Sequence, residues 1–209
     1  MSRKKNFVID RETYKISEKN YYKEEQPKSQ IIISSSNRKS NNHLLRLLKK
    51  ENGLTTNWNT YTITREGVIY EHYNPVYYSD FIGNQNIDIK SVSIVLENMG
   101  PLLYNDDHES YYNDLNERFE GTESDVFIKE WRGYKYYEPY TKEQYNATVF
   151  LSRLLCLELN ISDDSYGHNA FEEGSKYFNG VISKSNLDVN SSDLNPSFDF
   201  KKFLKDLKK

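Results

Sequence analysis

Two short stretches near the C-terminus hold the residues best equipped for chemistry. They are Gly167-His168-Asn169-Ala170-Phe171 and Asn195-Pro196-Ser197-Phe198-Asp199-Phe200. The first sets an imidazole on a glycine turn, and the second is a proline-closed loop running into an Asp between aromatics. Imidazole is a common metal ligand and a proton carrier near neutral pH, while a packed, hydrogen-bonded histidine is the plainer reading. His43, His72 and His108 lie on polar stretches, His43 beside the loop after the first apolar strand and His72 just past a hairpin. The carboxylate pairs Asp106-Asp107 and Asp163-Asp164 sit in loops and read as solvated charge. Cys156, in Leu154-Leu155-Cys156-Leu157, excludes an internal disulfide and reads as an inert core residue. No phosphate-binding glycine loop, nucleophile elbow or Cys-x-x-Cys is present.

The elements that must position these residues belong to one domain of ordinary size within 209 residues. Hydrophobic residues make up only 36%, but 18 Tyr and 10 Phe compensate, because each aromatic buries a large area. The net charge of -3, from 28 basic and 31 acidic residues, argues against nucleic acid as the ligand, since phosphate contacts require a basic surplus. Residues 2–5 and 201–209 are basic ends and 105–125 is acidic. No apolar run approaches the ~20 residues of a membrane span, and Met1-Ser2-Arg3-Lys4-Lys5 lacks an apolar signal segment.

Residues 1–29 read as an N-terminal extension, with short strands or arms at Phe7-Val8-Ile9 and Tyr14-Lys15-Ile16, and 30–209 as the main domain. Gln30-Ile31-Ile32-Ile33 is a β-branched run that fits a buried strand. A polar loop follows, and Asn41 or Asn42 caps a helix that ends near Gly53. Trp58 to Ile63 alternates, Arg65-Glu66-Gly67 turns, and Val68-Ile69-Tyr70 returns as a hairpin. Ser91-Val92-Ser93-Ile94-Val95-Leu96-Glu97 predicts a central strand. Residues 101–139, Tyr-rich and acidic, read as an insertion laid over the surface. It is either a loop with its own aromatic cluster or a contact surface carried by Tyr111, Tyr112, Trp131, Arg132, Tyr134, Tyr136 and Tyr137. Thr141-Lys142-Glu143-Gln144 is a capping box that opens a helix to about Asn160, with apolar residues on more than one face and hence well buried. Residues 172–195 read as a long polar linker, and 199–208 as a final amphipathic helix. The expected fold class is α/β, a mixed central sheet flanked by helices.

Taken in order, these elements resemble the type 2 N-acetylmuramoyl-L-alanine amidases, over about residues 30–204. The resemblance is carried by Ile31-Ile32-Ile33, by Tyr61, Ile63, Gly67, Ile69 and Tyr70 of the hairpin, and by Ser91 to Asn98. Thr141 and Gln144, Gly167 to Phe171, and Pro196-Ser197-Phe198-Asp199 complete it. The family chemistry needs a zinc ion with three protein ligands and a bound water whose lowered pKa supplies hydroxide to an amide carbonyl.

The resemblance places the first ligand on Ser34, the second on His168, and the third on Asp193 or Asn195. The Glu that many members carry in the central strand falls on Val95, and Glu97, two residues on, shares its face. A family Lys falls on Ser191 or Asp193, and a further His near Phe81. The departures sit at the chemical positions and the matches at the fold-bearing ones. This implies a vestigial site of Ser34, Val95, His168, Asp193 and Asn195, with no cofactor. His168 and Asp193 are the residues left for any metal, and zinc is the alternative expectation.

The expected role is a catalytically inactive binding or structural module, a phage virion component of tail or baseplate, with other protein subunits or peptidoglycan as partners and a location in the virion or the host cytoplasm. The alternatives are an active zinc amidase cleaving peptidoglycan and a non-cleaving peptidoglycan-binding module.

Overall fold

A computed structural model describes residues 7–50 and 57–209. The run Gln30–Ser35 (β2) forms the expected strand and is buried at all six positions. Its parallel neighbours Ser91–Leu96 (β5) and Gly180–Ser183 (β10) satisfy both its edges, and apolar clusters bury Ile31 and Ile33 on one face and Ile32 on the other, so it needs no polar alternation. Tyr61–Ile63 (β3) runs parallel to β5 and pairs antiparallel with Ile69–Glu71 (β4), while Ile9–Asp10 (β1) closes the edge. The central sheet is therefore mixed, in the order β1-β4-β3-β5-β2-β10. Gly67 turns the β3–β4 hairpin at φ +80, and a Cβ there would lie 2.7 Å from the Glu143 carbonyl oxygen, so only glycine fits.

Strand alternation gives the sheet two unlike faces. Ile31, Ile33, Ile63, Ile69, Val92, Ile94 and Leu96 point to the face covered by Lys142–Glu158 (α3) and Phe200–Leu207 (α5). Thr141 caps α3 as expected, its hydroxyl accepting the Gln144 N–H at 3.1 Å. The helix is one-sided rather than well buried all round. Ala147, Leu151 and Leu155 face the sheet, whereas Leu157 is 82% exposed. The opposite side holds Asn42–Lys50 (α1), whose Leu44 and Leu47 pack with Ile16, Tyr21, Trp58 and Tyr73. Asn41 adopts the left-handed conformation before α1. The expected end of this helix near Gly53 lies outside the described residues.

The 1–29 segment, where described, is built into the domain. Phe7 stacks on Phe150 of α3 at 5.0 Å, β1 joins the sheet, and Ile16 and Tyr21 enter the α1-side cluster.

Two further regions differ from the sequence reading. The 172–195 linker contains β10 and the short helix Lys184–Leu187 (α4). Val181 and Ile182 were too few to signal a strand, and β10 forms because the open edge of β2 supplies a ladder. The 101–139 insertion is a second, four-stranded antiparallel sheet rather than a surface loop. It comprises Pro101–Asn105 (β6), Ser110–Tyr112 (β7), Phe127–Trp131 (β8) and Tyr134–Tyr137 (β9), in the order β7-β6-β9-β8. Met99, Leu102, Tyr111 and Phe119 form its own core.

Candidate functional site

Parallel pairing sets Ser34 at the end of β2 beside Val95 of β5, and Thr62 of β3 beside Val95 on the other side. All three lie on the face away from α3, because their neighbours Ile33, Ile94 and Ile63 point into the aliphatic core. The loop after α4 folds over this end of the sheet. It is anchored where the Asp193 carbonyl accepts the Ser185 N–H and the Ser191 carbonyl accepts the Ser185 hydroxyl. The Arg132 guanidinium, from the turn between β8 and β9, also donates to the Ser191 carbonyl, so the second sheet braces the loop.

This packing brings Asp193 to Ser34. The Ser34 hydroxyl donates to Asp193 Oδ2 at 2.7 Å, and both residues are 3% exposed. Asn37 Nδ2 approaches Asp193 Oδ1 at 3.4 Å. Burial raises the Asp193 pKa above the usual carboxylate range, against the lowering pull of the Ser34 hydrogen bond and Lys184. Beside this pair Val95 contributes only methyls.

Asn195 faces elsewhere. Its Nδ2 donates to Asn98 Oδ1 and to the Glu138 carbonyl, each at 3.0 Å, while its Oδ1 accepts the Ser197 N–H and hydroxyl. Of the two alternatives for the third ligand position, it is thus Asp193 that stands next to Ser34. The Pro196-Ser197-Phe198-Asp199 loop is an anchor. Phe198 is buried against Tyr140, Tyr145, Phe200 and Phe203, and Asp199 caps α5 by accepting the Lys202 N–H at 2.9 Å.

No hydrogen bond joins His168 to Ser34 or Asp193. Its Nδ1 accepts the Ala170 N–H at 3.2 Å, its Nε2 lies 3.4 Å from Glu172 Oε1, and its ring stacks on Tyr166 at 5.7 Å. The side chain is half-exposed. It is Asn169, not His168, that ties the glycine-turn loop to the Asp193 loop, donating to the Leu194 carbonyl at 2.7 Å. Phe81 packs in the small cluster around Ile32 and Ile182.

The other candidates have structural work. His72 is fully buried. Its Nδ1 sits 2.8 Å from the Tyr14 carbonyl, which can only accept, so Nδ1 carries the proton and Nε2 accepts the Thr62 hydroxyl at 2.8 Å. Thr62 in turn accepts from Asn59 Nδ2 at 2.9 Å, and Asn59 Oδ1 accepts from His43 Nε2 at 3.2 Å. Burial pushes His72 down to about 4 and His43 down to about 3, so both rings stay neutral. Glu97 accepts the Asn41 N–H at 3.0 Å and the Ser40 hydroxyl at 3.3 Å, holding the entry to α1. Cys156 is buried and its thiol is pushed up to about 11, as expected of an unreactive core residue. The sequence reading placed Asn98 after the central strand without a role and missed Glu138. Glu138 is buried, ion-paired with Arg65 at 3.1 Å, and accepts the Met99 N–H at 2.6 Å. Only the unusual burial of that carboxylate marks it, and burial is invisible in sequence.

Zinc takes thiolate, imidazole or carboxylate donors at about 2.0–2.3 Å, in a set of three or four. Here a neutral hydroxyl and one carboxylate are bonded to each other, and the imidazole is engaged elsewhere. Among the described residues no three His, Cys, Asp or Glu side chains converge. The residues present do not fit a zinc centre.

No protein-family model matches the chain, and no curated protein does. Solved structures do. A mutant endolysin from Bacillus subtilis superposes with a TM-score of 0.57 at 13% identity, over 97% of this chain and 99% of that one. The catalytic domain of XlyA gives 0.53 at 14%, over 97% and 99%. The N-acetylmuramoyl-L-alanine amidase LysC from Clostridium intestinale URNW gives 0.52 at 12%, over 97% of each chain. Identities this low speak for architecture alone, and the chain has the mixed α/β fold of these structures, an amidase among them.

Proposed function

We propose that this chain is an amidase-fold protein that does not hydrolyse its fold's substrate and serves as a binding or structural module. The observation that carries the reading is the direct Ser34–Asp193 hydrogen bond. It joins the residues at the resemblance's first and third ligand positions, occupying lone pairs and a proton that a metal would have to displace. Val95 beside them moves no proton, and His168 is spent on Ala170, Glu172 and Tyr166. The fold of LysC, an N-acetylmuramoyl-L-alanine amidase, supports a relation to peptidoglycan.

The finer reading is a subunit of a phage particle, in tail or baseplate, with other protein subunits as neighbours, in the virion or in host cytoplasm before assembly. Its support is the second sheet, an aromatic platform that the hydrolytic chemistry does not need. Within that platform Tyr111 and Tyr137 are buried and serve as core, so a contact surface rests on Tyr112, Trp131, Arg132, Tyr134 and Tyr136.

The test is zinc content of the purified protein measured together with release of stem peptides from cell walls. Expected are substoichiometric zinc and no release. Stoichiometric zinc with release overturns the reading in favour of an active amidase. Wall pull-down without release selects the peptidoglycan-binding form, and detection in purified particles selects the virion form.

A further inference from the structure

A cavity of about 240 Å³ opens on the opposite side of the central sheet's length from Ser34 and Asp193. That volume is far above the ~10–15 Å³ that admits one water. Its lining is Asn84, Asn86, Ile87, Lys90, Lys176 and Tyr177. Lys90 immediately precedes β5, whereas Val95 lies near the other end of that strand, roughly 16 Å along it at 3.3 Å per residue. The cavity is therefore separate from the site described above.

Its chemistry is one-sided. The Lys176 ammonium lies 5.0 Å from the centroid of the Tyr177 ring and the Lys90 ammonium 5.8 Å from it. Lys90 is steered there by donating to the Lys176 carbonyl, which leaves two of its three donors. Among the described residues neither ammonium has an ion-pair partner. The acid nearest Lys90 in sequence, Asp88, is turned inward and consumed by the N–H groups of Ile82, Gly83 and Asn84, and Glu173, in the same short helix as Lys176, is exposed and makes no ion pair among the described residues. Tyr177 is 78% exposed, and both ammoniums lie over its ring. Two carboxamides, from Asn84 and Asn86, complete the lining. Cations to neutralise a charge, an exposed aromatic ring for apolar contact and amides to bond hydroxyls make the combination that suits a charged sugar.

We propose that this cavity is a second ligand site that takes an anionic monosaccharide unit, a pyranose ring bearing a carboxylate or a phosphate. The test is titration of the full chain with glucuronate, glucose 6-phosphate, glucose and inorganic phosphate, followed by amide chemical shifts of residues 84–90 and 175–178. Expected is saturable binding of glucuronate or glucose 6-phosphate, weakened at least tenfold by Lys176→Ala and by Tyr177→Ala. The stronger of these two ligands names the anion. Both side chains are surface groups, and matching melting curves for the variants exclude unfolding as the cause. No saturable binding, binding untouched by both substitutions, or inorganic phosphate matching the charged sugars overturns the proposal. Glucose matching them overturns its anionic half. None of these readouts depends on zinc or on wall cleavage, so the outcome is independent of the inactive reading.

Discussion

The two faces of the central sheet carry the same backbone and opposite chemistry. The face under α3 and α5 is aliphatic and aromatic, with Ile31, Ile63, Ile94, Leu96, Leu151 and Leu155 at most 2% exposed. The other face has apolar patches around Ile32 and around Leu44 and Trp58, but its stretch from Ser34 through Thr62 to His72, buried almost as completely, is polar and hydrogen-bonded side chain to side chain. The aliphatic face tolerates little change because its stabilisation scales with buried area and packing. The polar face can exchange one chemistry for another provided every buried donor and acceptor finds a partner. That asymmetry explains how the Ser34 hydroxyl and the Asp193 carboxylate can satisfy each other at the end of the sheet without disturbing its apolar face.

The comparison is open to attack at several points. The largest effect is expected from Leu151→Ala, fully buried under the sheet, at roughly 2–5 kcal/mol. A urea midpoint shift below about 1 kcal/mol would show that α3 does not carry the apolar face.

On the polar face, His72 titrates near 4 instead of the ordinary 6.5 or so, because burial disfavours its charged form. The unfolded chain takes up a proton below pH 6.5 and the native chain does not until about pH 4. Its contribution is therefore full above pH 6.5 and is lost as pH falls from 6.5 to 4, by roughly 3 kcal/mol. Asp193, Glu97 and Glu138 are raised by burial and act in the opposite sense. The measurement is thus a difference: His72→Asn should flatten the loss of stability between pH 7 and pH 4.5 relative to wild type.

Ser34→Ala should cost about 1–3 kcal/mol by stripping a donor from the buried Asp193, read from chemical denaturation. Ser34→His alone should leave zinc bound at well under one equivalent, because His168 faces Tyr166 and Glu172. Stoichiometric zinc in that variant would show the metal site to be one substitution away. The smallest effect is expected from Leu157→Lys on the exposed side of α3, within about 0.5 kcal/mol.

Particular residues show which parts were legible in sequence. Ile31-Ile32-Ile33 announced a buried strand, Gly67 a turn, Thr141 a helix start and Phe203 with Leu207 an amphipathic helix, because each states its preference within a few residues. β10 was not legible, since Val181 and Ile182 become a strand only when β2 offers an edge. Nor was the second sheet, whose Tyr111 and Tyr137 look like contact residues until their burial is seen. The one-sidedness of α3 was equally hidden. Its apolar residues outnumber the positions that the sheet can cover, and Leu157 is left outside.

By itself the sequence determined most strands of the central sheet, its main helices, the mixed α/β class and the lack of an imidazole or carboxylate at Ser34 and Val95, because these depend on residue type and local spacing. Only the tertiary structure decided that Asp193 rather than Asn195 meets Ser34, that His168 turns to its own loop, and that Lys90 and Lys176 share one tyrosine ring. Those outcomes join residues as far as 159 positions apart. They follow from how loops close over the ends of the sheet, a geometry set by packing the whole chain at once.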